Sequence, residues 1–457
     1  MNSDGKIGNF SSVYMGTFDS ERFWRDSGNS QLPLIRDNQA NTIVSVMDEL
    51  QFVFCNSSRD VMITRLPMNP IHKHYLYELG FTFLNNELPT IEAEDISLNT
   101  NKSICQLLTE TQNQKYFKSL ISPLSKFSPY SILPFTSELC KHYEIQNIVP
   151  DVKTVRKVNS KIFSHQLAKR LFDNTVGEIV YSSRELEVKG KHLIQNSPLL
   201  IKDEFGVSGK GNILIDSEKI LERIVKHISK QENLGQKTLF LLEPLLDKYI
   251  DFSCQFEIDL TGEIRILSVQ KMQNVGFAFS GIQTAKPSFL ELLDRAEYFK
   301  QVNAIAIALY EEGYYGPVCL DSMLLKEGKI IPIVEINSRK SIGFINYYVD
   351  RFLSQFSTHS CINYFALGMN HYIDFEEILY NMTQKNILFL KNKPNGILPL
   401  SSNTLNINCK LSERENFDKT CKGRLYVSLV PENETNKELM LGKMKEILNN
   451  LGVKIFN

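Results

Sequence analysis

Residues 199–216, LLIKDEFGVSGKGNILID, constrain this chain more than any other stretch. Two β-like runs, 199–202 and 212–215, flank a turn that holds Gly206, Gly209 and Gly211. Glycines so placed let the main chain bend tightly and bring N–H groups against a phosphate. Gly209-Lys210 is followed by Gly211, where a Walker A loop needs Ser or Thr. The order G-x-x-G-x-G also leads into a strand, and a dinucleotide-binding fingerprint opens a helix. A flap over nucleotide phosphates fits this pattern, and so does a plain hairpin. Lys202 ends the first strand just before the turn, where an ammonium could meet a phosphate.

A second constellation lies near position 330. Residues 318–325 and 330–336 read as a hairpin around the turn Lys326-Glu327-Gly328-Lys329. Glu335 and Asn337 are two apart, so both side chains leave the same face of a strand. The hairpin folds Asp321 back toward them. Two carboxylates and an amide oxygen suit Mg²⁺, a hard cation that keeps waters and bridges phosphates. Each carboxylate interrupts an apolar strand, where an unpaired charge is costly. Arg339, two further on, can fork onto phosphate oxygens.

Composition excludes several classes. Of 457 residues, 42% are hydrophobic and 23% charged, which is ordinary for a globular protein. The formal net charge of −1 supplies no general basic field for nucleic acid. No run approaches the roughly 18 apolar residues that a membrane helix needs. The start, MNSDGKIGNF, carries no signal-peptide core, so a cytoplasmic location is expected. Eight cysteines include no C-x-x-C pair and are expected as reduced core residues. His72-Lys73-His74 has no further ligand at zinc spacing and reads as a solvated surface pair.

The organisation is α/β. Residues 51–55 and 61–64 read as strands around a polar turn, and Gly80 stops a helix that follows. A boundary falls at Pro150-Asp151. Beyond it come a helix over 158–172, a helix over 217–229, and strands over 238–242, 253–259 and 264–270. A long helix is expected over 291–312, closed by Gly313. The last hundred residues read as α+β, with a strand at 424–430. Thr435 and Glu438 form an expected capping box for a helix that Gly452 stops.

Lys202, the glycine turn, Glu243-Pro244-Leu245, Asp251, Asp321 and the run Glu335-Ile336-Asn337-Ser338-Arg339 occur in an order that resembles the ATP-grasp superfamily. The likeness covers about residues 155–350, and E-I-N-x-R after a hairpin is its most specific mark. The first domain is similar to the pre-ATP-grasp domain that precedes this unit. The chain resembles peptide ligases of natural-product pathways and carrier-protein amino-acid ligases of antibiotic pathways such as butirosin.

The resemblance implies a pre-ATP-grasp α/β domain over 1–150, a two-lobed α+β catalytic unit over 151–357 and a small C-terminal α+β region over 358–457. It implies ATP with Mg²⁺, or Mn²⁺ in its place. Lys161 and Lys202 would contact phosphates, and residues 206–211, with Gly206, Ser208, Gly209 and Gly211, would form the flap. Glu243 and the main chain at Leu245 and Leu246 would read adenine, and Asp251 would hold the ribose. Asp321, Glu335 and Asn337 would hold the metal, with Arg339 facing the transferred phosphate. The implied reaction activates a carboxylate as an acyl phosphate and passes it to an amine or to a carrier-protein thiol. A phosphotransferase acting on a hydroxyl and a non-catalytic nucleotide-binding module stay open. Some amino-acid ligases carry a substrate-facing Arg two residues before the first metal Asp. Cys319 stands at that position, so substrate recognition must come from elsewhere.

Overall fold

The computed structural model describes residues 11–457 except 35–36, 97–98, 100, 174–175, 207–210, 276–277 and 413–419. Three sheets organise the chain. The first is parallel, with Ser12–Met15 at its centre between Val61–Met62 and Lys126–Pro129, and Leu84–Asn85 outside Val61–Met62. The apolar run 51–55 is not one of its strands. It belongs to a buried 3₁₀ helix, Met47–Phe54. A short apolar run cannot distinguish the two by periodicity alone.

The second sheet is antiparallel, in the order Glu178–Val180, Phe240–Pro244, Leu199–Asp203, Asn212–Ile215. Helices Ser183–Leu193 and Glu218–Glu232 pack together and bury Leu186, Leu221, Ile224 and Ile228 against it. The third sheet has nine strands. Its antiparallel series begins Ile330–Asn337, Gly316–Leu325, Lys248–Ile258, Ile264–Val275, Ala278–Thr284. It continues without a break into Cys361–Met369, Cys421–Val430 and Gly396–Pro399. Phe375, Phe389, Ile397 and Leu425 of the last hundred residues share one core with Phe52, Leu76 and Phe81 of the first domain.

Three local expectations change. The helix over 291–312 is two helices, Pro287–Arg295 and Tyr298–Glu311, separated where Glu297 adopts φ 56°. The last long helix, Glu434–Asn450, is capped by Asn433, whose side chain accepts from the Asn436 N–H, and not by Thr435. His72 is fully buried, bonded to Ser402 Oγ at 3.2 Å and to the Pro399 carbonyl at 3.1 Å, while His74 is exposed beside Glu78. All eight cysteines are buried. Among the described residues no helix is long and apolar enough to cross a membrane.

Candidate active site

The glycine turn is rooted as its sequence implies. Leu199–Asp203 and Asn212–Ile215 are antiparallel partners with Lys202 opposite Asn212, and the Asp203 N–H donates to the Gly211 carbonyl at 2.8 Å. Gly211 has φ 89°, a conformation that costs a side-chain-bearing residue. Ser208 and Gly209 lie outside the described residues. Gly206 stands just before them, and its carbonyl accepts from Lys161 Nζ at 2.9 Å.

Lys161 opens the helix Lys161–Phe172, whose cap is Ser160. It is buried and forms an ion pair with Glu335 Oε1 at 2.5 Å. One helix end thus joins the flap root to the metal-type cluster. Lys202 is also buried, paired with Glu243 Oε2 at 2.5 Å across adjacent strands. Leu245 and Leu246 follow directly, with the Leu245 N–H bonded to the Pro198 carbonyl at 2.7 Å. Asp251 sits on the large sheet opposite Met323, and its carboxylate accepts from Lys248 at 2.6 Å and Asn274 at 2.7 Å.

Asp321 and Glu335 are directly opposed residues of paired strands, as are Cys319 and Asn337. Opposed residues carry Cβ atoms about 4.5–5.5 Å apart. Burial, reinforced by the charge of Glu335, pushes the Asp321 carboxyl up to about 7. Asn337 Nδ2 donates to Asp321 Oδ2 at 3.0 Å, and Asn337 Oδ1 accepts from Arg339 Nη2 at 2.9 Å. Two crowded carboxylates with an amide beside them form an all-oxygen donor set. These residues fit Mg²⁺. Among the described residues no group of three or more His, Cys, Asp or Glu could hold a metal.

Arg339 is buried, and its guanidinium is held by a residue that carries no signal in the sequence. Glu21, from the four-residue helix Glu21–Trp24, accepts from Arg339 Nε at 2.8 Å and also from Nη2. The two lie 318 positions apart, and only the closed fold brings them together. Arg25 of the same segment reaches Asp203 at 2.8 Å and the Phe205 carbonyl at 2.7 Å. The segment 21–25 therefore holds both Arg339 and the end of the strand Leu199–Asp203. Lys340 follows Arg339 and buries its ammonium against Ser128 Oγ at 2.9 Å, with the rings of Phe54 and Tyr14 4.6 and 5.1 Å away.

No family model matches the chain. In sequence it is similar to the [butirosin acyl-carrier protein]–L-glutamate ligase of Niallia circulans, 26% identical over 270 residues. That match covers 56% of this chain and 62% of the relative, so the chain spans less than two thirds of it. In structure it is similar to biotin carboxylase from Campylobacter jejuni, solved with β,γ-ATP, at TM-score 0.51 and 13% identity over 98% of this chain and 92% of that one. Pyruvate carboxylase from Rhizobium etli gives TM-score 0.52 and 12% identity over 98% of this chain and 38% of that one. At such identities the structural likeness speaks for the fold. In its three-sheet architecture and in the likeness of its sequence, the chain resembles the ATP-grasp ligases.

Proposed function

We propose that the protein is an ATP-dependent ligase that activates a carboxylate, that of an amino acid, as an acyl phosphate and transfers the acyl group to an amine, as in peptide or amide formation in a natural-product pathway. The observation that carries this reading is the directly opposed pair Asp321 and Glu335, with Lys161 on one side and Asn337 and Arg339 on the other. ATP would lie between the second and third sheets. Lys161 and Lys202 would exchange their carboxylate partners for phosphate oxygens, and the flap from Gly206 to Gly211 would cover them. Glu243 with the main chain at Leu245 and Leu246 would meet the adenine, and Asp251 the ribose.

Asp321, Glu335 and Asn337 would hold Mg²⁺, which supplies charge neutralisation on the phosphates. The substrate carboxylate oxygen attacks the γ-phosphorus and the bond to ADP breaks. Arg339 aligns the transferred group and balances its charge. The acceptor then displaces phosphate from the acyl carbon.

A second reading of the acceptor is the pantetheine thiol of a carrier protein. The printed name of the Niallia circulans relative, a carrier-protein ligase of L-glutamate, favours it. In either case the enzyme would work in the cytoplasm without nucleic acid. The test is incubation with MgATP, a panel of amino acids and hydroxylamine. The ligase reading predicts a hydroxamate formed in step with ADP. ADP formed with a phosphorylated hydroxyl and no hydroxamate would indicate a phosphotransferase.

A further inference from the structure

Glu21 reaches the metal-type pair through direct bonds. Its Oε1 accepts from Arg339 Nε at 2.8 Å and also from Arg339 Nη2. Arg339 Nη2 donates in turn to Asn337 Oδ1 at 2.9 Å, and Asn337 Nδ2 donates to Asp321 Oδ2 at 3.0 Å. An unbroken chain of side-chain hydrogen bonds thus leads from Glu21 to Asp321. The charges of Arg339 and Glu335 both act on Glu21.

The donors of the guanidinium decide what Arg339 can offer. An arginine carries five N–H groups. Nε gives its one to Glu21, and Nη2 gives its two to Glu21 and Asn337. Nη1 gives one to the Lys340 carbonyl at 3.0 Å. Among the described residues the second N–H of Nη1 has no acceptor. The edge formed by Nε and Nη2 is therefore closed while Glu21 holds it, and a two-bond fork onto phosphate oxygens from that edge is blocked. What remains is one charge-assisted bond from the Nη1 side, in a direction that Glu21 fixes.

Glu21 has no other evident task. Both hydrogen bonds of its side chain go to Arg339, and its Oε2 has no partner. Glu21 and Arg339 are both buried. Burying an ion pair costs desolvation, and apolar residues of similar volume often serve stability as well or better. The main chain of Glu21 is pinned on either side. Ser20 Oγ donates to the Thr17 carbonyl at 2.6 Å, and Trp24 Nε1 donates to the Ile132 carbonyl at 3.0 Å. We propose that Glu21 is a positioning residue for phosphoryl transfer. It sets the Arg339 guanidinium so that the open N–H of Nη1 meets the transferred group. Such alignment matters because small misplacements of a charge-balancing group cost rate. This rests on the reading of Arg339 as the residue that faces the transferred phosphate.

The experiment is a double-mutant cycle on ADP release, with the amino acid that the wild type uses best. E21Q keeps the shape and removes the charge that holds Arg339. Its kcat should fall by about ten- to a hundredfold, the range for hydrogen bonds to charged groups, with the KM of MgATP in place. In an R339K background the same change should cost less than about twofold, because Glu21 acts through Arg339. An equal loss in both backgrounds would make Glu21 merely structural and overturn the proposal. E21D covers the case in which E21Q does not fold. It keeps the charge and withdraws it by one methylene, so kcat should again fall, and wild-type kcat would overturn the proposal. A further readout needs no acid substrate. E21Q should weaken calorimetric binding of MgADP with aluminium fluoride, a mimic of the transferred group, by about tenfold and leave binding of MgADP alone unchanged. Equal weakening of both, or of neither, would overturn the proposal. Absence of ADP release with every acid tested, alongside that selective loss, would count against the ligase reading and not against Glu21.

Discussion

Glu335 and Asp321 face each other across paired strands, and each is satisfied differently: Glu335 by Lys161, Asp321 by the amide of Asn337. Glu335→Gln keeps an acceptor for Lys161 and removes one hard anionic ligand. Turnover should fall by about 10²- to 10³-fold, the scale for loss of one strong transition-state contact, measured as ADP release at saturating MgATP. Near-normal turnover would take Glu335 out of the metal set. The proton on Asp321 gives a second readout. Burial and then the charge of Glu335 raise this carboxyl to about 7, so below that pH a proton occupies the site. Metal needs the ionised form. Mg²⁺ affinity of the metal-free protein should therefore rise with pH up to about 7 and then level off, with proton uptake into buffer on binding. Titration calorimetry in two buffers of different ionisation enthalpy measures this, and pH-independent affinity between 5 and 8 would contradict it.

The hairpins were legible because their turn glycines punctuate runs of alternating residues. Gly211, Gly262 and Gly328 all adopt positive φ where the sequence placed a turn. Gly211 carries a testable load. Any Cβ there would meet Asp203 Oδ2 at 3.0 Å, on top of the cost of φ 89°. Asp203 is itself fixed by Arg25. Gly211→Ala should cost about 1 kcal/mol or more in stability and raise the KM of ATP, since it distorts the root of the proposed phosphate flap. Unchanged melting and unchanged ATP dependence would reduce the turn to a plain hairpin. Other elements were misread for physical reasons. After Gln51 the run FVFC is apolar throughout and carries no period, so burial in a 3₁₀ helix left the same trace as a strand. The break at Glu297 has neither Gly nor Pro to announce it. His72 did leave a trace, since His72, Tyr75, Leu76 and Leu79 occupy one helical face and are all buried.

At the scale of the whole molecule, the invisible part of the site is the part made by distant contacts. Asp321, Glu335 and Asn337 lie within one hairpin that the sequence displays, while nothing near Glu21 and Arg25 in sequence announces their contacts with Arg339 and Asp203. The 3₁₀ helix Met47–Phe54 is tied to the C-terminal strands through Glu49. This buried carboxylate accepts from the main-chain N–H groups of Ser402 and Thr404 at 3.0 and 3.1 Å and from Ser402 Oγ at 3.0 Å. It sits at the start of the helix Asn403–Ser412, an end that favours negative charge. Burial nevertheless pushes Glu49 up to about 7. The folded state thus holds a proton that the unfolded chain releases from about pH 4.5, and this group's contribution to stability falls as pH rises through about 4.5–7. Glu49→Gln keeps an acceptor for the helix start and should flatten that part of the stability–pH curve. Glu49→Ala should lose about 1–3 kcal/mol by orphaning the N–H groups. Denaturant unfolding of both variants from pH 5 to 8 checks the pair, and equal losses would contradict the capping role.

The central claim is that ATP energy passes to product through an acyl phosphate held by Asp321, Glu335, Asn337, Lys202 and Arg339. With an acid substrate labelled with ¹⁸O in its carboxylate, the enzyme should release ADP together with phosphate that carries one labelled oxygen. AMP with pyrophosphate, or phosphate free of label, would contradict it.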